Sequence, residues 1–216
     1  MELLSVNLGR PYRTAEAAIG VTGIDKRPAE GPVAVSAPGP KGVGGSGLAG
    51  DTIADLRHHG GEHQAVYAFA REELDAWEKE LGRTLPNGVF GENLTTTGLD
   101  VSGARVGERW RVGPDVLLEV CGPRIPCRTF ASWLGERGWV RTFTRKAQPG
   151  AYLRVLEPGE IRAGDPVSRV HVPEHEVTAA FVFRALTAEP GLLPRILVAR
   201  DALDPEAVES AERRAS

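Results

Sequence analysis

VGERWRVGPDVLLEVCGPRIPCRTF, residues 106–130, holds two apolar runs, 108–112 and 116–121, separated by Gly-Pro-Asp and closed by Gly-Pro. Short runs rich in Val, Leu and Trp between turn formers read as strands, because branched and aromatic side chains suit a pleated surface and Gly and Pro end it. The same punctuation recurs on both sides, predicting further strands at 3–8, 33–36, 65–70, 152–156 and 167–170. One helix interrupts them at 71–81, where Leu74, Trp77 and Leu81 fall on one face and Gly82 follows as a stop. Shorter helical turns are expected after Cys127 and Gly138. The fold class is therefore mainly β with added helices, an α+β arrangement.

Beyond about His171 the composition turns to Ala, Glu, Arg and Leu, and three short helices fit it. The first spans 174–186, the second carries Leu193, Ile196 and Leu197, and the third opens with Asp204 as its cap and Pro205 in first position. Helices this short are marginal alone, so they are expected to pack together or on the β-rich part. The division is a domain at 1–170 and a small three-helix domain at 171–216.

A chain of 216 residues allows one medium domain with an appendage, and its 41% hydrophobic and 25% charged residues are those of a globular protein rather than a disordered or fibrous one. A net charge of −3 argues against a nucleic-acid partner. No apolar run is long enough for a membrane span, and the opening MELLSVNLGR lacks a signal-peptide pattern, so no membrane partner and a cytoplasmic location are expected. With two cysteines, Cys121 and Cys127, the chain has no disulfide framework, all-cysteine zinc site or self-contained iron–sulfur cluster.

Cys127 follows a Pro-Arg-Ile-Pro turn and should project from a loop, with Arg124 and Arg128 surrounding it with positive charge, which favours the thiolate that binds soft metals or attacks electrophiles. Cys121 ends an apolar strand and reads as a small buried hydrophobe. In RHHGGEHQAVYAF, Arg57, His58, His59 and His63 gather around Gly60-Gly61. An anion or cofactor pocket, a zinc or iron site, and a polar surface turn all fit that cluster. His171 and His175, with Pro173 between them, read as linker residues. GVGGSG at 42–47 has the spacing of a dinucleotide loop, but no helix is expected to start at Gly47, so it reads as a loop able to order over a ligand. Phe90, Gly91, Glu92 and Asn93 form a turn before a Thr-rich strand, where Asn93 can donate and accept hydrogen bonds.

Taken together, residues 50–69, 85–99, 106–130 and 150–167 resemble, in that order, the motifs of the MOSC domain (molybdenum cofactor sulfurase C-terminal domain), of the free-standing YiiM-like type. The likeness covers about residues 20–170, and the tail resembles the three-helix domain that follows it in that type. The resemblance implies a β-barrel-like fold that binds the molybdenum cofactor, with Cys127 as catalytic residue and protein ligand to molybdenum. His58, His59, Gly60, Gly61, Phe90, Gly91, Glu92, Asn93 and Arg124 would line the pterin and its phosphate. Gln64 departs from the Lys often found there, which Arg57 or Lys41 can compensate, and the Gly-rich insertion at 39–50 is unusually long and is placed to narrow or cover the site.

The implied activity is reduction of N-hydroxylated small molecules, such as hydroxylaminopurine-type bases, to the amine and water. Electrons would come from a separate flavin or iron–sulfur protein, since the chain carries neither centre. A homodimer is compatible with the resemblance. Two rival functions stand beside it: sulfur transfer through a Cys127 persulfide, and a non-catalytic cofactor-binding module.

Overall fold

In the computed structural model, which describes residues 1–215, the first two strands are long and paired: β1 (Glu2–Arg13) and β2 (Val21–Pro28). They are followed by β3 (Val33–Val35), β4 (Val66–Ala70), α1 (Arg71–Leu81) and β5 (Leu94–Thr97). The hairpin β6 (Arg109–Val112) and β7 (Val116–Gly122) leads to α2 (Arg128–Leu134) and α3 (Trp139–Lys146). Then come β8 (Ala151–Glu157), β9 (Gly159–Ile161), β10 (Val167–His171), α4 (Ala179–Thr187), α5 (Leu193–Ile196) and α6 (Pro205–Ala215).

Eight strands form one mixed sheet in the order β10-β6-β7-β8-β4-β5-β1-β2, and β3 pairs with β9 in a second, two-stranded sheet. Among the described residues only β4 and β5 pair in parallel, and α1 supplies the crossover such a pair needs. The barrel expectation is corrected: the fold is mixed α+β around an open sheet. Its curl brings β1 back toward β10 through an isolated bridge, Glu2 to Pro166, and three backbone bonds: Leu3 N–H to the Asp165 carbonyl at 2.9 Å, Gly164 N–H to the Leu3 carbonyl at 2.8 Å, and Val167 N–H to the Met1 carbonyl at 3.0 Å.

Three apolar clusters hold these layers. The first fills the sheet interior, with Leu3, Val66, Trp110, Leu118 and Leu153. The second is aromatic, seating Trp77 of α1 against Phe90, Phe130, Trp139 and Phe143. The third joins Val106 to Val182, Ile196, Leu203 and Ala211 of the tail.

Two sequence readings shift. β2 is absent from the expected strands because VTGIDKRP interleaves charges with its inward Ile24 and Lys26. α4 begins at Ala179 rather than near 174: the Val106 N–H bonds the Val177 carbonyl at 3.0 Å, holding that segment extended. Thr178 then caps the helix by accepting from Phe181 N–H. Among the described residues, no helix is long and apolar enough to cross a membrane.

Candidate functional site

A cavity of about 400 Å³ opens where β2, the 52–60 loop, the turn after β4–α1 and the β7–α2 loop converge. Cys127 lies at its wall as the residue preceding α2, half-buried and in the extended backbone conformation usual for a helix N-cap. α2 is held there by packing of Phe130 in the aromatic cluster and by Thr129 Oγ1, which donates to the Glu16 carbonyl at 3.1 Å. Cys121, by contrast, is fully buried at the end of β7, and burial pushes its thiol well above the usual range.

Arg124 enters the same cavity. Its Nη1 donates to the Phe90 carbonyl at 2.6 Å, and its guanidinium lies over the Phe130 and Tyr67 rings, 4.4 and 5.3 Å from their centroids. No carboxylate among the described residues pairs with it, so its charge is available to an anion in the cavity. The position explains Gly91: at φ +77° a Cβ would stand 2.8 Å from Arg124 Nη1, so the backbone both turns and yields room to the guanidinium.

His58 and His59 sit on the opposite rim with Gly60. His58 Nδ1 is 2.9 Å from Asp55 Oδ2. His59 is held below its ordinary value, first by lost hydration against the cavity wall and then by the Arg124 charge, so its imidazole is neutral at pH 7. The rim is braced from behind by the Gly-rich loop, since Gly42 N–H bonds the Leu56 carbonyl at 3.1 Å and Gly61 N–H bonds the Gly45 carbonyl at 3.0 Å. GVGGSG starts no helix and serves as this brace. Lys41, on the same loop, reaches the tail instead of the cavity and pairs with Glu206 at 2.5 Å.

Beneath the cavity lies a buried polar network. Lys26 Nζ contacts both Asp51 oxygens at 2.7 and 2.8 Å, and Asn93 Nδ2 donates to Asp51 Oδ2 at 2.9 Å and to the Asn7 carbonyl at 3.2 Å. Asn93 Oδ1 in turn accepts from Tyr67 N–H at 3.1 Å. Burial would raise the Asp51 carboxyl, but Lys26, with hydrogen bonds from Ser46 and the Gly9 N–H, outweighs it and holds it below the usual range. Asn93 thus reaches the cavity with its amide already committed to positioning.

Of the residues singled out in the sequence, the fold brings His58, His59, Gly60, Gly91, Asn93, Arg124 and Cys127 together around the cavity. Four lie away from its surface. Arg57 points to solvent, its side chain 76% exposed. Gly61 packs against Lys41, Phe90 fills the aromatic cluster, and Glu92 is buried accepting from Gly88 N–H, Phe90 N–H and Thr95 Oγ1. Their contribution is to hold neighbours in place. His63 and Gln64 follow on the next turn, Gln64 facing the cavity. Sequence reasoning missed Lys26, Asp51, Tyr67 and Tyr152. Lys26 alone left a signal, since it falls on the same strand face as inward Ile24.

Residues 55–168 match the MOSC domain family. The chain is 33% identical over 183 residues to the uncharacterized protein YflK of Bacillus subtilis, covering 84% of this chain and 79% of that one. It is 31% identical over 190 residues to a protein named Reductase from Gibberella moniliformis, covering 86% of this chain and 32% of that longer one. Its fold superposes on the crystal structure of YiiM from Geobacillus stearothermophilus with a TM-score of 0.79 and 26% identity, covering 100% of this chain and 99% of that one. The chain is therefore a YiiM-like member of the MOSC domain family.

Proposed function

We propose that the chain is a molybdenum-cofactor-dependent reductase of N-hydroxylated compounds. The observation that carries this reading is the pairing, in one cavity, of a half-buried thiol, Cys127, with an unpaired guanidinium, Arg124. The residues present fit the cofactor. Among the described residues no group of three or more His, Cys, Asp or Glu side chains is placed to hold a metal ion, so a metal bound here has to bring most of its ligands with it. A metal carried on an organic cofactor does so, and a thiolate is a suitable soft ligand to complete it. Arg124, whose guanidinium pairs with no carboxylate among the described residues, suits the phosphate of a phosphorylated pterin.

When bound, the cofactor supplies the two-electron centre at which the N–O bond is broken. Overall, R–NH–OH takes up two electrons and two protons and yields R–NH₂ and water. Cys127 holds the metal, and Arg124 neutralises and orients the anionic end of the cofactor. Neutral His59 holds a proton-accepting ring nitrogen at the rim, where protons must be taken from solvent. The Lys26–Asp51–Asn93 network fixes the floor, so these groups keep their spacing.

A Reductase-named relative supports oxidoreductase chemistry. The electrons come from a separate flavin or iron–sulfur protein, because two cysteines are too few to hold an iron–sulfur cluster that would feed the molybdenum from within this chain. The test is anaerobic reduction of 6-hydroxylaminopurine by protein from a cofactor-producing host, with a chemically reduced viologen as donor. Stoichiometric adenine formation that stops when the donor is omitted is expected; sustained turnover from NAD(P)H by the chain alone contradicts the scheme.

A further inference from the structure

Residues 124–146, which run from the cavity wall through α2 and α3, hold six Arg and Lys against one carboxylate, Glu136. That is a net +5 in a chain whose total is −3, so the rest of the molecule is acidic and this segment is its positive pole.

The packing of the two helices decides where the charge goes. Phe130 of α2 meets Trp139 and Phe143 of α3 edge-on, with ring centroids 5.5 and 5.4 Å apart, so each helix buries one face in the aromatic cluster and turns the other to solvent. Arg141 and Arg145, one turn apart, are exposed on α3 with Val140 beside them. Arg137, before α3, and Arg128, the first residue of α2, are exposed as well. None of these four guanidiniums has an ion-pair or hydrogen-bond partner among the described residues. The counter-charges within reach are already used: Glu136 pairs with Arg83 at 3.2 Å, and Glu80 pairs with Lys146 at 2.7 Å. Exposed arginines elsewhere do find carboxylates, as Arg184 does in Glu189 and Arg200 in Glu212. Arg128 also lines the cavity, together with exposed Ile125, so the positive surface begins at the mouth next to Cys127 and extends onto both helices. Of the carboxylates lining the cavity, Asp55 is tied to His58, and Glu16 lies on the β1–β2 turn.

We infer that the outward face of α2 and α3 is the docking surface for the electron donor, and that the donor presents an acidic face around a flavin mononucleotide. The inference rests on the reductase reading for why a donor is needed; the charge on this face stands without it. Electron carriers dock briefly through small interfaces, and charge steers the encounter. Arginines without local counter-charge keep their field for such a partner. A fully reduced flavin holds both electrons that one turnover consumes, so a single docking suffices. The flavin, as FMNH₂, gives up two electrons and two protons and becomes FMN, and R–NH–OH takes up the same number of each to yield R–NH₂ and water.

The experiment pairs binding with turnover, using a flavodoxin, a small acidic FMN protein, as the probe. Binding to immobilised flavodoxin is expected to weaken at least about tenfold between about 20 and about 300 mM salt, and about tenfold in Arg141→Glu/Arg145→Glu at the lower salt. Arg200→Glu/Arg213→Glu makes the same change of net charge on exposed positions of the tail and should keep most of the affinity. Reduced viologen, a small cation that needs no docking surface, should drive 6-hydroxylaminopurine reduction at an unchanged rate in every variant, whereas reduced flavodoxin at limiting concentration should drive the α3 variant about tenfold more slowly. Undiminished flavodoxin affinity in the α3 variant overturns the inference, as does an equal loss in the tail variant, which would make net charge the cause. Should the glutamate variant fail to fold, Arg141→Gln/Arg145→Gln decides, with a loss of at least about threefold expected. Failure of viologen to drive turnover in any of the proteins would sink the reductase reading alone, and the binding arm still decides the docking.

Discussion

Cys127 and Cys121 have the same chemistry and opposite surroundings. One borders a cavity beside a guanidinium and the other is sealed in the sheet, so only the first is available to a ligand. That contrast was legible in the sequence, because two prolines force a loop ahead of Cys127 while Cys121 completes an apolar strand. The Lys26–Asp51–Asn93 network was not legible, because its members meet only when β2, the loop that begins at Asp51 and the turn that ends just before β5 are assembled across the fold. Breaking it should be costly: Lys26→Met leaves Asp51 buried without its cation and is expected to lower unfolding free energy by about 3–5 kcal/mol in a urea titration. Adding Asp51→Asn to that variant should recover part of the loss; no recovery would show that packing, not charge, holds the floor. Gly91→Ala places a methyl against Arg124 in a left-handed backbone conformation. It should cost about 1–2 kcal/mol and reduce retention of the pterin, read by fluorescence of the denatured protein, more than a comparable destabilisation elsewhere.

At the level of elements, α1 was placed within its observed bounds, because its apolar face and its Gly82 stop are both local signals. The start of α4 was misplaced because pairing of residues 177–178 with the 105–106 segment, remote in sequence, overrides the local helical pattern. α1 also carries a pH signature. Glu73 is buried against Ser102, whose Oγ donates to it at 3.0 Å, and burial, with the charges of Asp100 and Glu72, raises its pKa from 4.5 to about 7. The folded chain therefore keeps a proton that the unfolded chain has released, so this group stabilises the fold most below pH 4.5 and loses that contribution as pH rises through about 7. Glu73→Gln should flatten the fall in stability between those limits by about 1–3 kcal/mol, measured by denaturant titration at several pH values. An unchanged slope would mean that Glu73 is ionised in the fold.

For the whole molecule, short punctuated strands announced a β-rich chain with a helical tail, but not whether the sheet would close. Closure depends on how far β1 and β10 approach, which turn composition does not encode, and the two meet through one isolated bridge and three backbone hydrogen bonds instead of a continuous ladder. The tail packs on the rest through all three apolar clusters, Ala179 in the first, Phe183 in the aromatic one, and a third in which Ile196 is fully buried. Ile196→Ala should cost about 2–5 kcal/mol, and if the transition stays single in thermal and denaturant melts, tail and sheet unfold together. The central claim concerns the Cys127 cavity, and the most direct measurement is metal and pterin content of the parent, Cys127→Ala and Cys121→Ala proteins purified anaerobically side by side from a cofactor-producing host. The account predicts about one molybdenum and one pterin per chain in the parent and in Cys121→Ala, with molybdenum lost in Cys127→Ala. Neither species in any of the three, in a host that loads a control molybdoenzyme, would contradict it and favour a persulfide on Cys127, visible as a one-sulfur gain in mass.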